Sequence, residues 1–168
     1  MSDIHRHLVA AQGFMELGMF VDAANELEEI DTEARALPQV IAFRVAIYTA
    51  MEKWDMAEVT ARHMAKVAPE EPGWWVHWAY ATRRSRSVEH AKNILLDAEV
   101  KHPQDANIQF NLGCYACQLG DLKEAKSRVA AAISLDPQFR LAALDDEDLK
   151  PLWDEFAVIL RASEKSEG

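Results

Sequence analysis

The stretch Ala106–Phe139, ANIQFNLGCYACQLGDLKEAKSRVAAAISLDPQF, decides the fold. Its pattern predicts a helix, a tight turn, a second helix and a stop. Two series of residues recur along the chain at a step of 34: Pro69, Pro103 and Pro137, and Ala23, Ala57, Ala91 and Ala125. A period of this length is the signature of stacked helix or strand units, so we expect a repeat array with a continuous core.

The step divides most of the chain into four helix hairpins. Their expected boundaries are 4–37, 38–71, 72–105 and 106–139. Each second helix carries an apolar stripe at spacings of three and four residues, which in the fourth unit is Leu122, Ala125, Val129 and Ala132. Alanine at the second place of every stripe predicts a close approach of the two helices of the hairpin, because a larger side chain would hold their backbones apart.

The turn residues agree with these boundaries. In the fourth unit Gly120 follows the first helix, Asp121 is placed to cap the second, and Glu124 completes a capping box. Asp105 is placed to cap the helix that opens this unit. We therefore expect tight turns within the hairpins.

The fourth unit resembles the tetratricopeptide repeat, a hairpin of 34 residues. The matching residues are Leu112, Gly113, Gly120, Asp121, Leu122, Ala125, Val129, Ala132 and Pro137. The second unit departs from the pattern, with Arg44 and Val45 where Leu-Gly is expected. The resemblance implies an all-α, right-handed α-solenoid of four hairpins, in which the first helices line a concave groove.

Residues 140–163 break the period. An acidic turn at 145–148 is followed by a helical pattern with Leu152, Trp153 and Phe156. We predict a C-terminal capping helix within 140–163 that covers the open face of the last hairpin, and a disordered tail at 164–168. A helix that binds a partner is the alternative interpretation.

Composition limits the classes of function. Lys and Arg total 18 against 28 for Asp and Glu, and the net charge of −10 repels nucleic acid and anionic lipid. No apolar run is long enough to span a bilayer, and no leader pattern opens the chain. We therefore expect a cytoplasmic protein that neither binds nucleic acid nor inserts into a membrane.

The Cys114-x-x-Cys117 pair is the motif that most suggests chemistry. A zinc site needs four ligands, and the sequence has no second C-x-x-C and no His pair at ligand spacing. A thioredoxin-like site needs a preceding strand, and none is predicted. We therefore expect no metal, no cofactor and no catalytic residue. An enzyme that uses the cysteine pair is the alternative.

The groove carries the functional prediction. By register, the candidate peptide-binding residues are Phe43, Ala46, Val76, His77, Tyr80, Arg83, Arg84, Phe110, Asn111 and Cys114. Phe43, Tyr80 and Phe110 are the expected apolar anchors. The basic cluster Arg83, Arg84 and Arg86 binds either acidic residues of the ligand or carboxylates of neighbouring units.

The favoured hypothesis is a non-catalytic interaction module that holds a peptide segment or helix of a partner protein, whose identity the sequence does not reveal. Two alternatives remain. One is a chaperone similar to those of type III secretion, which is suggested by size and repeat content alone. The other is a scaffold subunit that self-associates as a homo-oligomer through Trp74 or the terminal helix.

Overall fold

The computed structural model describes residues 3–166, with side chains described to residue 162. Within this range ten α-helices and no strands occur: α1 (Asp3–Glu16), α2 (Phe20–Glu28), α3 (Pro38–Ala50), α4 (Trp54–Val67), α5 (Pro72–Ser85), α6 (Val88–Lys101), α7 (Ala106–Gln118), α8 (Leu122–Leu135), α9 (Phe139–Asp145) and α10 (Trp153–Ser166). Two short 3-10 segments, Ala34–Ala36 and Glu147–Leu152, connect α2 to α3 and α9 to α10. No helix in the described range is long and apolar enough to cross a bilayer.

The helices pack in chain order. Hairpins form from α1 with α2, α3 with α4, α5 with α6, and α7 with α8, and each second helix also contacts the first helix of the next hairpin. The helices α3, α5 and α7 begin at Pro38, Pro72 and Ala106, which are 34 residues apart. The result is the all-α solenoid that the sequence predicted, because each hairpin buries its apolar stripes against its neighbours.

The turns show how the sequence ends one helix and begins the next. Gly120 adopts a φ of 84°, a left-handed conformation that glycine accepts without steric cost. Asp121 then caps α8 by accepting a hydrogen bond from the Glu124 backbone N–H at 2.9 Å. Only this half of the expected capping box is seen, because the Glu124 carboxylate binds Lys92 at 2.5 Å and Arg128 at 3.4 Å.

The close approach predicted for the hairpin is confirmed in α7 and α8. Ala125 is fully buried, and Gly113 lies directly against it. A methyl group on Gly113 would stand 2.8 Å from Cγ2 of Val129 and 3.3 Å from the Ala125 carbonyl oxygen. The small residues therefore set the distance between the two backbones.

The C-terminal region differs from the single capping helix that was predicted. It contains α9, the 3-10 segment and α10, and the 3-10 segment packs on α7 while α9 packs on α8. Leu149 and Leu152 are fully buried in the same core as Leu112. The helix α10 extends to Ser166, so part of the predicted tail is helical, and residues 167–168 of that tail lie outside the described residues.

Candidate peptide-binding groove

The ten predicted groove residues differ in exposure. His77, Tyr80 and Arg84 are exposed; Phe43, Ala46, Val76, Arg83 and Asn111 are half-buried; Phe110 and Cys114 are buried. All of them lie on α3, α5 or α7, the first helices of their hairpins. The groove is therefore not equally open along its length.

The C-terminal region covers the part of the groove that α7 forms. The ring of Phe139 lies against that of Phe110, with centroids 4.8 Å apart. The side-chain amide of Gln118 donates a hydrogen bond to the Asp148 carbonyl oxygen at 3.2 Å. The chain itself thus occupies the site where Phe110 and Cys114 were expected to meet a ligand, since its apolar C-terminal residues find their burial there.

The two cysteines are free and buried beneath this cover. Burial raises the pKa of Cys114, and the negative charges of Asp146 and Asp148 raise it further. Burial also raises the pKa of Cys117. A protonated thiol is a poor nucleophile, so the geometry does not favour an enzyme that uses this pair at neutral pH.

Arg83 is held by the covering segment. Its guanidinium forms a two-pronged pair with the Asp148 carboxylate, in which Nη2 donates to Oδ1 at 2.8 Å and Nη1 donates to Oδ2. This hydrogen bonding raises the pKa of Arg83. The guanidinium carbon also lies 5.7 Å from the centre of the Tyr115 ring. Arg83 therefore fixes the cover on the groove.

The other two arginines of the basic cluster also contact the chain's own side chains. Arg84 stacks on the Trp54 ring, with Cζ 4.7 Å from its centre. Arg86 pairs with the buried carboxylate of Glu58 at 3.2 Å, and Ser85 donates to the same carboxylate at 2.8 Å. Arg83 and Arg86 thus follow the second interpretation of the cluster, in which they neutralise carboxylates of the array itself.

An open pocket lies between α3 and α5. It has a volume of about 490 Å³, and its apolar wall consists of Pro38, Ala42, Ala68 and Trp74. Its polar lining consists of Gln39, Glu70, Glu71 and His77. Ala42 and Gly73 leave this space because they have little or no side chain.

The rim of the pocket is negatively charged. Glu70 and Glu71 are exposed, and among the side chains that the structure describes neither has a basic ion-pair partner. One face of the His77 ring packs against Trp74, with centroids 6.2 Å apart, although another edge stays exposed. Loss of water from the packed side lowers the pKa of His77.

Solved structures share this architecture. The chain superposes on TTC0263, a thermophilic tetratricopeptide repeat (TPR) protein of Thermus thermophilus, with a TM-score of 0.69 and 18% identity over 92% of this chain and 98% of that one. The chain has the TPR fold. The first TPR domain of human RPAP3 gives a TM-score of 0.57 with 18% identity over 76% of this chain and 94% of that chain.

A third TPR-like neighbour is MamA of Desulfovibrio magneticus RS-1, from residue 41 to its end. It gives a TM-score of 0.66 with 14% identity, over 100% of this chain and 99% of that one. No protein-family model and no curated protein sequence matches the chain. At 14–18% identity these likenesses show the fold of the chain.

Some residues that line the pocket were not among those predicted from the sequence, and the TPR register explains why. Gln39 stands three residues before Ala42, on the same helix face, so the register could have identified it. Glu70 and Glu71 lie in the loop before α5, where no helical period applies. Trp74, whose role the sequence left open, is only 7% exposed and forms a wall of the pocket.

Proposed function

We propose that the protein is a non-catalytic interaction module whose pocket between α3 and α5 binds a peptide segment of a partner protein. The segment presents an apolar side chain next to a lysine or arginine. The observation that carries this proposal is an open apolar pocket whose rim carries two carboxylates, Glu70 and Glu71, that have no ion-pair partner among the described side chains.

The pocket suits one large apolar side chain. A volume of about 490 Å³ is within the usual range for ligand sites, and the Trp74 ring gives it a flat apolar wall. Trp74 is itself held in place in the core with Val45, Met64 and Ala65. An apolar anchor that enters here loses its contact with water against a wall that is already ordered, which favours binding.

The charge that we expect of the ligand follows from the carboxylates on the rim of the pocket. Carboxylates without a partner attract a cation, and the protein as a whole carries a net charge of −10. Arg83 and Arg86, which would attract an acidic ligand, are already paired with Asp148 and Glu58, and Arg84 stacks on Trp54 and does not line the pocket. The preference is therefore for a basic segment, the opposite of what the basic cluster in the sequence suggested.

The rest of the ligand follows the open part of the groove. From the pocket this part continues past Ala46 and Val76 to the exposed ring of Tyr80, which meets Trp54 edge-on at 6.0 Å. It ends where the Arg83–Asp148 pair and the C-terminal cover begin. A bound segment therefore spans the second and third hairpins.

The pocket assignment is tested by filling it. We expect peptides selected from a phage-displayed random library on the immobilised protein to carry an aromatic or aliphatic residue next to Lys or Arg. Ala42→Trp should weaken their binding in calorimetry by at least about tenfold, because the indole takes the space of the anchor. Ala42 is exposed, so the fold should tolerate the change.

Ala130→Trp is the matched control, since Ala130 is an exposed alanine on α8, outside the pocket. It should leave binding unchanged. Equal binding by the Ala42→Trp protein would show that the pocket is not the site.

The charge assignment is tested by neutralising the rim. We expect the double variant Glu70→Gln, Glu71→Gln to bind the selected peptide about 2- to 30-fold more weakly, because two exposed ion pairs contribute about 0.2–1 kcal/mol each. The dependence of affinity on salt should also become flatter. Titrations at two salt concentrations measure both effects. The control pair Glu29→Gln, Glu33→Gln changes the same charge on exposed residues that do not line the pocket, and an equal effect there would reject specific pairing.

A further inference from the structure

The cover brings together three ligand-type atoms that the sequence keeps apart. The Sγ atom of Cys114 and one carboxylate oxygen each from Asp146 and Asp148 all lie within 4.8 Å of one another. Cys114 belongs to α7, whereas the two aspartates lie where α9 gives way to the 3-10 segment. The cluster exists only because the C-terminal region folds back on the groove.

The cluster is largely buried, and among the described side chains its two carboxylates are paired with only one positive charge, that of Arg83. Cys114 is 2% exposed and both aspartates are half-buried. Asp148 is paired with Arg83, while the Asp146 carboxylate accepts a hydrogen bond from the Asp148 backbone N–H, at 2.9 Å. The fully buried hydroxyl of Tyr115, whose ring lies under Arg83, has no hydrogen-bond partner among the described residues. A buried polar group without a partner is costly, so the Tyr115 hydroxyl is unused hydrogen-bonding capacity on the ring that Arg83 covers.

We propose that Cys114, Asp146 and Asp148 bind a zinc ion. A thiolate together with carboxylates is a ligand set that zinc accepts in tetrahedral geometry. With the thiol deprotonated, the three ligands carry three negative charges, which a divalent cation and the Arg83 guanidinium together neutralise. A buried cluster without net charge avoids most of the cost of burying ions.

The geometry requires only small movements. Ligand atoms in a tetrahedral zinc site stand about 3.3–3.8 Å apart, so side-chain rotations of about 1 Å bring these three atoms into place. Arg83 then acts as a positioning residue, because its two-pronged pair with both Asp148 oxygens orients the carboxylate in the way that outer hydrogen bonds orient metal ligands. The fourth position is left for a water.

Zinc here would tie the cover to the groove. One ligand comes from α7 and two from the C-terminal region, so the ion cross-links two parts of the chain. The sequence suggested no metal because a C-x-x-C pair alone lacks two ligands. The two carboxylates of the proposed site come from a region that the repeat period does not place, and Cys117 is not one of its ligands.

The experiment uses the full chain, reduced and freed of metal. Isothermal titration with Zn²⁺ should give one site per chain, and Co²⁺ should give a sulfur-to-metal charge-transfer band with tetrahedral d–d bands. Cys114→Ser should abolish the charge-transfer band. Asp146→Asn retains the oxygen that accepts the Asp148 N–H, and it should still weaken binding by about 10- to 100-fold.

Cys117→Ser is the matched control, because this cysteine lies one turn further along α7 but is not among the clustered atoms. It should change Zn²⁺ affinity by no more than about twofold. Circular dichroism establishes that each variant is folded. The proposal is overturned if the reduced wild-type chain binds no Zn²⁺, if Cys114→Ser and Asp146→Asn bind as the wild type does, or if only Cys117→Ser loses the band.

Discussion

Replacing Leu149 with alanine is expected to lower the free energy of unfolding by about 2–5 kcal/mol. Leu149 is fully buried in the core that also contains Leu112, Tyr115 and Leu152. Truncation removes apolar area from this core and leaves a cavity beside α7, and both effects destabilise the native state. Chemical denaturation of the wild type and the variant measures the difference.

Leu141→Ala is the matched control for this change. Leu141 lies in the same C-terminal region, on α9, but its side chain is 78% exposed. Its truncation should change stability by no more than about 0.5 kcal/mol. If the two variants lose equal stability, Leu149 does not pack on α7 and the groove is open along its whole length.

The result also bears on the length of the binding surface. A cover that contributes several kcal/mol of stability does not leave the groove readily when a peptide arrives, because the peptide would have to replace that burial. Phe110 and Cys114 would then belong to the core, and the ligand would be confined to the second and third hairpins. A small effect would return both residues to the list of candidate contacts.

Gly113→Ala is the second change for which a large effect is expected, a loss of about 1–3 kcal/mol of stability. The new methyl group would meet Val129 Cγ2 at 2.8 Å, and the Ala125 carbonyl oxygen at 3.3 Å limits any retreat. Val129 cannot rotate away easily, because β-branched side chains have one strongly preferred rotamer in a helix. The clash therefore outweighs the gain of about 1 kcal/mol that alanine brings to a helix interior.

Gly73→Ala separates this clash from helix propensity. Gly73 lies in the first turn of α5, and a methyl group there would meet no atom within 4 Å. Its stability should stay the same or rise by up to about 1 kcal/mol in thermal and denaturant unfolding. If Gly113→Ala proved as stable as the wild type, α7 and α8 could move apart at no cost, and the small residues would not set their distance.

Much of the fold could be predicted from the sequence. The step of 34 residues, the alanine of each stripe and the Gly120–Asp121 turn led to stacked helix hairpins, and the structure has them. The C-terminal region could be predicted only in part. Its burial pattern indicated a cap, but not that a short 3-10 segment would lie on α7.

The candidate site was harder to predict. Register placed His77 and Tyr80 on the exposed face of α5, where the structure also has them. Register could not tell that Phe110 and Cys114 would be covered, or that Arg83 would already have a partner. The burial of Phe110 and Cys114 and the pairing of Arg83 all depend on the C-terminal region, which lies outside the 34-residue repeat.

The sequence by itself thus determined the array, because helix periodicity, turn chemistry and small residues at the hairpin contact all act between residues close in the chain. Only the tertiary structure decided which part of the predicted groove the C-terminal region covers and which arginines already have an acidic partner. The pairing of Arg83 with Asp148 joins residues 65 positions apart. Such a contact depends on how the stacked hairpins orient the chain after α8, and no local pattern encodes that direction.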